Sequence, residues 1–284
     1  MQIVTALRLG RVSNLPTVWT NVLAGVALSG GDPLGPRTPA LLLALSLFYI
    51  GGMYLNDAFD AGYDRRFRPE RPIPSGETTE AVVFTCGFAL LGGGWLALLL
   101  SGTPSWAAPG AGAALAASVV IYDAWHKGNP ISPFLMGICR LLSYIVAGYA
   151  VTTTPPVALW IAAVASLCYL IGLTYAAKQE TLLRLTSLWP LVFLAAPLAW
   201  GMSAIPATPA VLLPLAGLAL WGGYAVRLLL RGGPAIGRAV VALIAGISLV
   251  DAVFVAAVGD LVAAVLCVGA FGLTLRLQQQ IAGT

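Results

Sequence analysis

Residues 56 to 76 read Asn-Asp-Ala-Phe-Asp-Ala-Gly-Tyr-Asp-Arg-Arg-Phe-Arg-Pro-Glu-Arg-Pro-Ile-Pro-Ser-Gly and hold the densest set of reactive groups in the chain. Asp57, Asp60 and Asp64 recur at i, i+3 and i+7, so on a helix all three project from one face; Asn56 and Asp60 make a second i, i+4 pair beside them. Carboxylates this close repel one another in an apolar setting unless a cation lies among them. Magnesium takes one or two carboxylates, several waters and substrate phosphate oxygens, so the spacing suits a metal shared with a diphosphate. A loop serving only to orient the chain in a membrane would need the arginines and gain nothing from phased aspartates.

Other ionisable residues are sparse enough to be weighed singly. Tyr122-Asp123-Ala-Trp125-His126-Lys127 closes an apolar run, and its lysine is a suitable point charge for phosphate oxygens, although a basic helix end is an equally good reading. Arg140 lies inside the next run, in Met-Gly-Ile-Cys-Arg-Leu-Leu-Ser-Tyr, where an unpaired guanidinium is costly. It reads as a partner for phosphate or for the aspartate motif, with a structural ion pair as the alternative. Asp251, mid-run in Leu-Val-Asp-Ala-Val-Phe, either faces a cavity or pairs with a base such as Arg140 or Arg227. Arg65, Arg66 and Arg68 read as topology signals, whereas Arg71 is better placed, held against Pro72 in a loop that must turn back.

The elements that position these groups are membrane helices. Hydrophobic residues fill 59% of the 284 positions and charged residues only 9%, a balance that marks an integral membrane protein. Windows of about 20 apolar residues predict helices over 14–30, 39–57, 79–101, 107–125, 132–152, 157–177, 185–203, 209–230, 238–258 and 261–279. The fold expected is therefore all-α, a polytopic bundle of nine or ten helices in one domain, 1–284. Gly259-Asp260 interrupts the last run and leaves that count open. An N-terminus in the cytoplasm puts the arginines and lysines after helices two, four and six on that side, with Arg37 outside, so the charged motifs converge at the cytoplasmic face. The small net charge of +4 comes from arginines at helix ends without interleaved exposed aromatics, which argues against nucleic acid. Cys86, Cys139, Cys168 and Cys267 stand singly in apolar stretches, as packing residues do. Residues 1 to 10 carry no pattern of a cleaved signal peptide.

The segment Asn56-Asp57-Ala-Phe-Asp60-Ala-Gly-Tyr-Asp64, with Arg71-Pro72-Ile-Pro74-Ser-Gly76 after it, closely resembles the first aspartate-rich motif of the UbiA superfamily of intramembrane prenyltransferases. Arg11-Val-Ser-Asn14-Leu-Pro16 through Gly25 is similar to that family's first helix. The resemblance implies a helical bundle around a central cavity open laterally to lipid. It implies that Asn56, Asp57, Asp60 and Asp64 hold Mg2+ against an isoprenyl diphosphate and that Arg71 and Lys127 contact the diphosphate; with Asn14, Tyr122, Arg140 and Tyr175 these two complete the expected substrate-binding set. A second aspartate-rich motif is expected after the sixth helix, and here the chain departs from the pattern: Tyr175-Ala-Ala-Lys178-Gln179-Glu180 keeps one acid and adds a lysine. Lys178 is suited to supply the positive charge of a second metal. With Asp57 and Asp60, Lys178 and Glu180 form the expected catalytic set.

The expected reaction is magnesium-dependent transfer of a prenyl group to a small lipophilic or aromatic acceptor within the membrane, with Tyr54, Tyr122, Trp125 and Tyr175 as candidates to shield developing positive charge. The competing expectation is a membrane protein that binds or moves an isoprenoid-linked compound without turning it over. A bacterial inner membrane is the expected location. Oligomeric state, chain length and acceptor leave no trace in the sequence.

Overall fold

The computed structural model describes residues 2–179, 187–281 and 283, and among them every regular element is helical. In order these are α1 (Ile3–Leu9), α2 (Leu15–Leu28), α3 (Thr38–Phe59), α4 (Ala61–Phe67), α5 (Glu80–Leu100), α6 (Ala107–Trp125), α7 (Ser132–Tyr149), α8 (Val157–Lys178), α9 (Ala196–Ala204), α10 (Leu212–Arg231), α11 (Ala235–Ala257) and α12 (Leu261–Gln278). Among the described residues eight helices are long and apolar enough to cross a membrane: α3, α5, α6, α7, α8, α10, α11 and α12. The chain is an integral membrane protein.

Two of the ten expected segments fall short of spanning length. The first yields α2, with 14 residues and Pro16 in its first turn, about 21 Å of helix against the roughly 30 Å of a hydrocarbon core. In the described part of 185–203, Pro190 and Pro197 divide the chain into a 3-10 stretch, Trp189–Ala195, and α9. Each proline removes an amide donor and so favours the start of a new helix. The doubtful last run is two helices. Gly259 takes φ +86, Asp260 Oδ1 accepts the Ala263 amide at 3.0 Å to cap α12, and α12 packs back along α11.

Two apolar clusters build the bundle. One joins α3, α5 and α6, the other α8, α10, α11 and α12, and both take residues from α2 and α7, which bridge them. Burial grades outward from the centre: 89% of the spanning window of α11 is inside the protein, against 28% for α5 and 22% for α12, whose outer faces are left to lipid. Glycine sets how closely neighbouring helices approach. A Cβ on Gly25 of α2 would stand 2.6 Å from Ala147 Cβ of α7, and one on Gly51 of α3 would stand 2.9 Å from the Gly87 carbonyl of α5.

Replacing Gly25 by alanine adds helix propensity of about 1 kcal/mol, but the forced separation of α2 and α7 costs about 1–3 kcal/mol. The variant Gly25→Ala should therefore unfold at a lower temperature than wild type in detergent. Gly92→Ala, at an exposed position with open space around it, should unfold at the wild-type temperature or slightly above. Equal midpoints for the two variants would show that α2 and α7 do not pack this closely.

Candidate functional site

The chain ends that carry charge meet at one end of the bundle. The turn before α2, the α3–α4 junction, the end of α6, the starts of α7 and α11 and the end of α8 enclose a cavity of about 550 Å³. Its wall holds six cations, Arg11, Arg68, Arg71, Lys127, Arg140 and Lys178, with His126, Asn14, Asn56 and Asp60. A smaller cavity of about 110 Å³ shares Tyr49, Met53, Tyr122, Met136, Arg140 and Leu170 with it and runs on among apolar side chains such as Leu45, Phe48, Leu115 and Val119. A polar basin thus opens into an apolar annex, with Arg140 and Tyr122 at the boundary.

The aspartate motif sits at a helix junction. α3 ends at Phe59, Asp60 is the capping residue, and α4 starts at Ala61 with the helical hydrogen bonds nearly continuous, Asp60 N to Asn56 O and Asp64 N to Asp60 O. The three aspartates nevertheless face different partners. Asp57, 5% exposed, accepts at Oδ1 from Arg11 at 3.1 Å and from Arg71 at 3.0 Å, and is absent from the cavity wall. Asp60 does line the cavity; its Oδ2 lies 3.0 Å from Lys127 Nζ and 3.5 Å from His126 Nε2. Asp64 is buried and also stays off the wall. Asp57 and Asp60 are each paired with protein cations, and among the described residues no three acids, histidines or cysteines are close enough to hold a metal by themselves.

Titration follows these contacts. Burial pushes the Asp60 carboxyl up, but His126 and Lys127 together outweigh it and hold the group below its ordinary value. Asp64 moves up, mainly by burial, with Arg71 opposing and Asp60 and Asp57 adding to the rise. Burial lowers the Arg11 guanidinium, yet Asp57 and its other neighbours raise it overall. Arg71 is lowered, by burial first and then by Arg11.

Asn56 is fixed from both ends. Arg11 Nη2 donates to its Oδ1 at 3.3 Å, and its Nδ2 donates to Asp123 Oδ1 at 3.0 Å, which settles which way the amide faces. Across the basin, Arg140 Nη1 donates to the Thr17 carbonyl at 3.1 Å and to Asn21 Oδ1 at 2.6 Å. Lys178 Nζ donates to the Asn129 carbonyl at 2.7 Å and to Ser132 Oγ at 3.0 Å. Among the described residues these two cations make hydrogen bonds only to neutral oxygens and have no carboxylate within ion-pairing distance.

The remaining expected residues are dispersed. Tyr122 stands on the cavity wall with its ring stacked on His126 at 5.0 Å, and Lys127 lies 4.0 Å over the Tyr63 ring. Asn14 lines the basin, its Nδ2 donating to the Gly283 carbonyl at 2.8 Å and its Oδ1 accepting from Gln278 at 3.0 Å. Tyr175 is off the wall, and its hydroxyl donates to the Ser187 carbonyl at 2.9 Å. Glu180 lies outside the described residues. Tyr54 is buried against the Ala6 carbonyl and Trp125 is 58% exposed, so of the four aromatic candidates only Tyr122 reaches the cavity; Tyr49 and Tyr63 do so unforeseen.

Arg11, His126, Arg68 and Asp123 were also unforeseen as members of the site. Arg11 has φ +41, the one non-glycine left-handed residue among those described, and that turn lets it reach Asp57 and Asn56 before α2 begins. Its signal in the sequence was proximity to Asn14. Asp251 is neither in the cavity nor in contact with Arg140: it is fully buried and bonded to Thr20, Asn21 and Tyr144.

The digeranylgeranylglyceryl phosphate synthase of Methanopyrus kandleri is 32% identical over 161 residues, 55% of this chain and 55% of that one. The proteins of the same name from Methanothrix thermoacetophila and Metallosphaera sedula are each 30% identical, over 45% and 34% of this chain and 47% and 34% of their own. The chain thus spans about half or less of the length of the curated relatives it matches. A solved structure from work on digeranylgeranylglyceryl phosphate synthase in membranes superimposes with a TM-score of 0.63 and 21% identity, over 90% of this chain and 98% of that one, so the two share a fold. The description UbiA prenyltransferase family matches residues 18–182, a stretch that runs from α2 through the aspartate junction to the end of α8 and takes in most of the cavity wall. By that match, this chain belongs to the UbiA prenyltransferase family.

Proposed function

We propose that residues 1–284 form a single unit that transfers a prenyl group from an isoprenyl diphosphate to a lipophilic acceptor inside the membrane. The observation that carries this reading is the basin itself, where Arg140 and Lys178 face a wall bearing Asn56, Asp60 and Lys127 and, among the described residues, pair with no carboxylate. A diphosphate is the polyanion that such a wall compensates, and the apolar annex suits what a prenyl diphosphate or its acceptor brings with it. The relatives named for digeranylgeranylglyceryl phosphate support an acceptor of glyceryl phosphate type, which the surplus of cations would also serve.

Magnesium fits the oxygens on offer. The Asn56 amide and the Asp60 carboxylate are hard donors on the cavity wall, and a site with so few protein ligands suits an ion completed by phosphate oxygens. When bound there, magnesium supplies Lewis-acid neutralisation of charge on the leaving diphosphate. In this reading Lys178, Arg140, Arg68 and Lys127 hold the diphosphate and take up charge as the allylic C–O bond breaks and its electron pair leaves with the phosphate. The acceptor forms the new bond at the allylic carbon and gives up its proton. The ring faces of Tyr49 and Tyr122 border the boundary where positive charge would develop, and the annex keeps water from that carbon. We place the charged end of the bundle, with the N-terminus, on the cytoplasmic side of the membrane, because Arg37 is the one arginine or lysine among the described residues on the opposite loops.

Purified protein in lipid, given labelled geranylgeranyl or farnesyl diphosphate, magnesium and a panel of glyceryl phosphate and phenolic acceptors, should release pyrophosphate and form a prenylated product. Chelation should stop the reaction, and Lys178→Ala and Asp60→Ala should each lower the rate by about 10²–10³-fold. Tight binding of the diphosphate without release, across every acceptor and chain length, would instead identify a carrier. For orientation, an impermeant thiol reagent should label Gly62→Cys in a cysteine-free background only from the cytoplasmic face; labelling from outside would invert the topology.

A further inference from the structure

The carboxylate buried deepest in the bundle is tied to the cavity by one amide. Asp251, on α11, has no exposed surface, and neither do Thr20 and Asn21 of α2 or Tyr144 of α7. The Thr20 hydroxyl donates to Asp251 Oδ2, the Tyr144 hydroxyl donates to Oδ1, and Asn21 Nδ2 donates to Oδ1 at 3.3 Å. The other end of the same amide accepts from Arg140 Nη1 at 2.6 Å, and that guanidinium stands on the walls of both cavities. Donors and acceptors at the two ends of Asn21 leave its orientation no choice.

The arrangement differs from that of Arg11 and Arg71 in a way that matters for an arriving anion. Arg11 and Arg71 are in direct ion pairs with Asp57, and an anion that takes them must displace or share a carboxylate. Arg140 has the Asn21 amide between itself and Asp251. Asp251 offsets the cost of keeping a cation in the bundle but leaves the guanidinium free of direct neutralisation. Both of its observed hydrogen bonds use Nη1, so among the described residues Nη2 and Nε have no hydrogen-bond partner. Those donors, on a head group locked by Thr17 and Asn21, are what a phosphate would meet.

We propose that Asp251 is a positioning residue for anion binding: acting through Asn21, it balances the charge of Arg140 and holds its guanidinium toward the cavity without touching the ligand. The inference rests on the reading of the basin as a diphosphate site. It assigns Asp251 and Asn21 a role that a purely structural knot between α2, α7 and α11 would lack, because a knot would alter stability and leave anion affinity alone.

The test is a double-mutant cycle on binding of inorganic pyrophosphate with magnesium, read by calorimetry on purified full-length protein in lipid. Arg140→Gln should weaken binding about tenfold or more, Asp251→Asn should weaken it by a similar factor of about 10–100, and the double variant should be within about twofold of Arg140→Gln alone. Asn21→Ala, which cuts the relay and leaves Asp251 with Thr20 and Tyr144, should reproduce the loss if Asp251→Asn does not fold. Wild-type affinity in both relay variants, or losses that multiply in the double variant, overturns the inference while the diphosphate reading stands. A wild-type protein that neither binds pyrophosphate nor releases it from prenyl diphosphates overturns both.

Discussion

A cation inside an apolar bundle must be balanced, and the way each one is balanced determines what the site can do. Water cannot serve that purpose among membrane helices, so charge is offset by protein groups or by a ligand. Among the described residues the cavity wall brings together six cations with a single lining carboxylate, Asp60, while Asp57 sits just behind. The surplus is what makes the basin a place for anions. Every helix end that contributes to it, from the turn at Arg11 to the end of α8, is arranged around that surplus.

Two modes of balance coexist. Asp57 binds Arg11 and Arg71 directly, and Asp60 binds Lys127 with His126 alongside, so these groups arrive already neutralised. Arg140 and Lys178 instead bond to an amide, carbonyls and a hydroxyl, which orient a cation without discharging it. The first set ties the N-terminal segment and the loop around Arg71 to the end of α3. The second faces it across the basin.

Much of the fold was legible because membrane helices announce themselves by length and hydropathy. The expected 107–125 coincides with α6, and the pause at Gly259-Asp260 is a true reversal capped by Asp260. The windows over 14–30 and 185–203 ran too long, since hydropathy does not register the amide donors missing at Pro16, Pro190 and Pro197. In the site, Asn56 and Asp60, four residues apart, both line the wall, but periodicity could not foresee that Asp57 would turn to Arg11 and Arg71. Those partners come from 46 and 14 residues away in sequence. Arg11 itself was hidden because a left-handed backbone at an arginine has no compositional signature. Asp251 was conspicuous as an acid in an apolar run, whereas the amide that connects it to Arg140 lies on a different helix.

The graded burial of the bundle also shapes how this sequence can change. On α11 nearly every face meets another helix, so a substitution there must match a volume and a shape on all sides at once. On α5 and α12 most side chains meet lipid, where one apolar residue serves about as well as another. Drift should accumulate on the rim and stall at the axis. A chain built this way can be remodelled from the outside, for new membranes or neighbours, while the post that carries Asp251 stays the same.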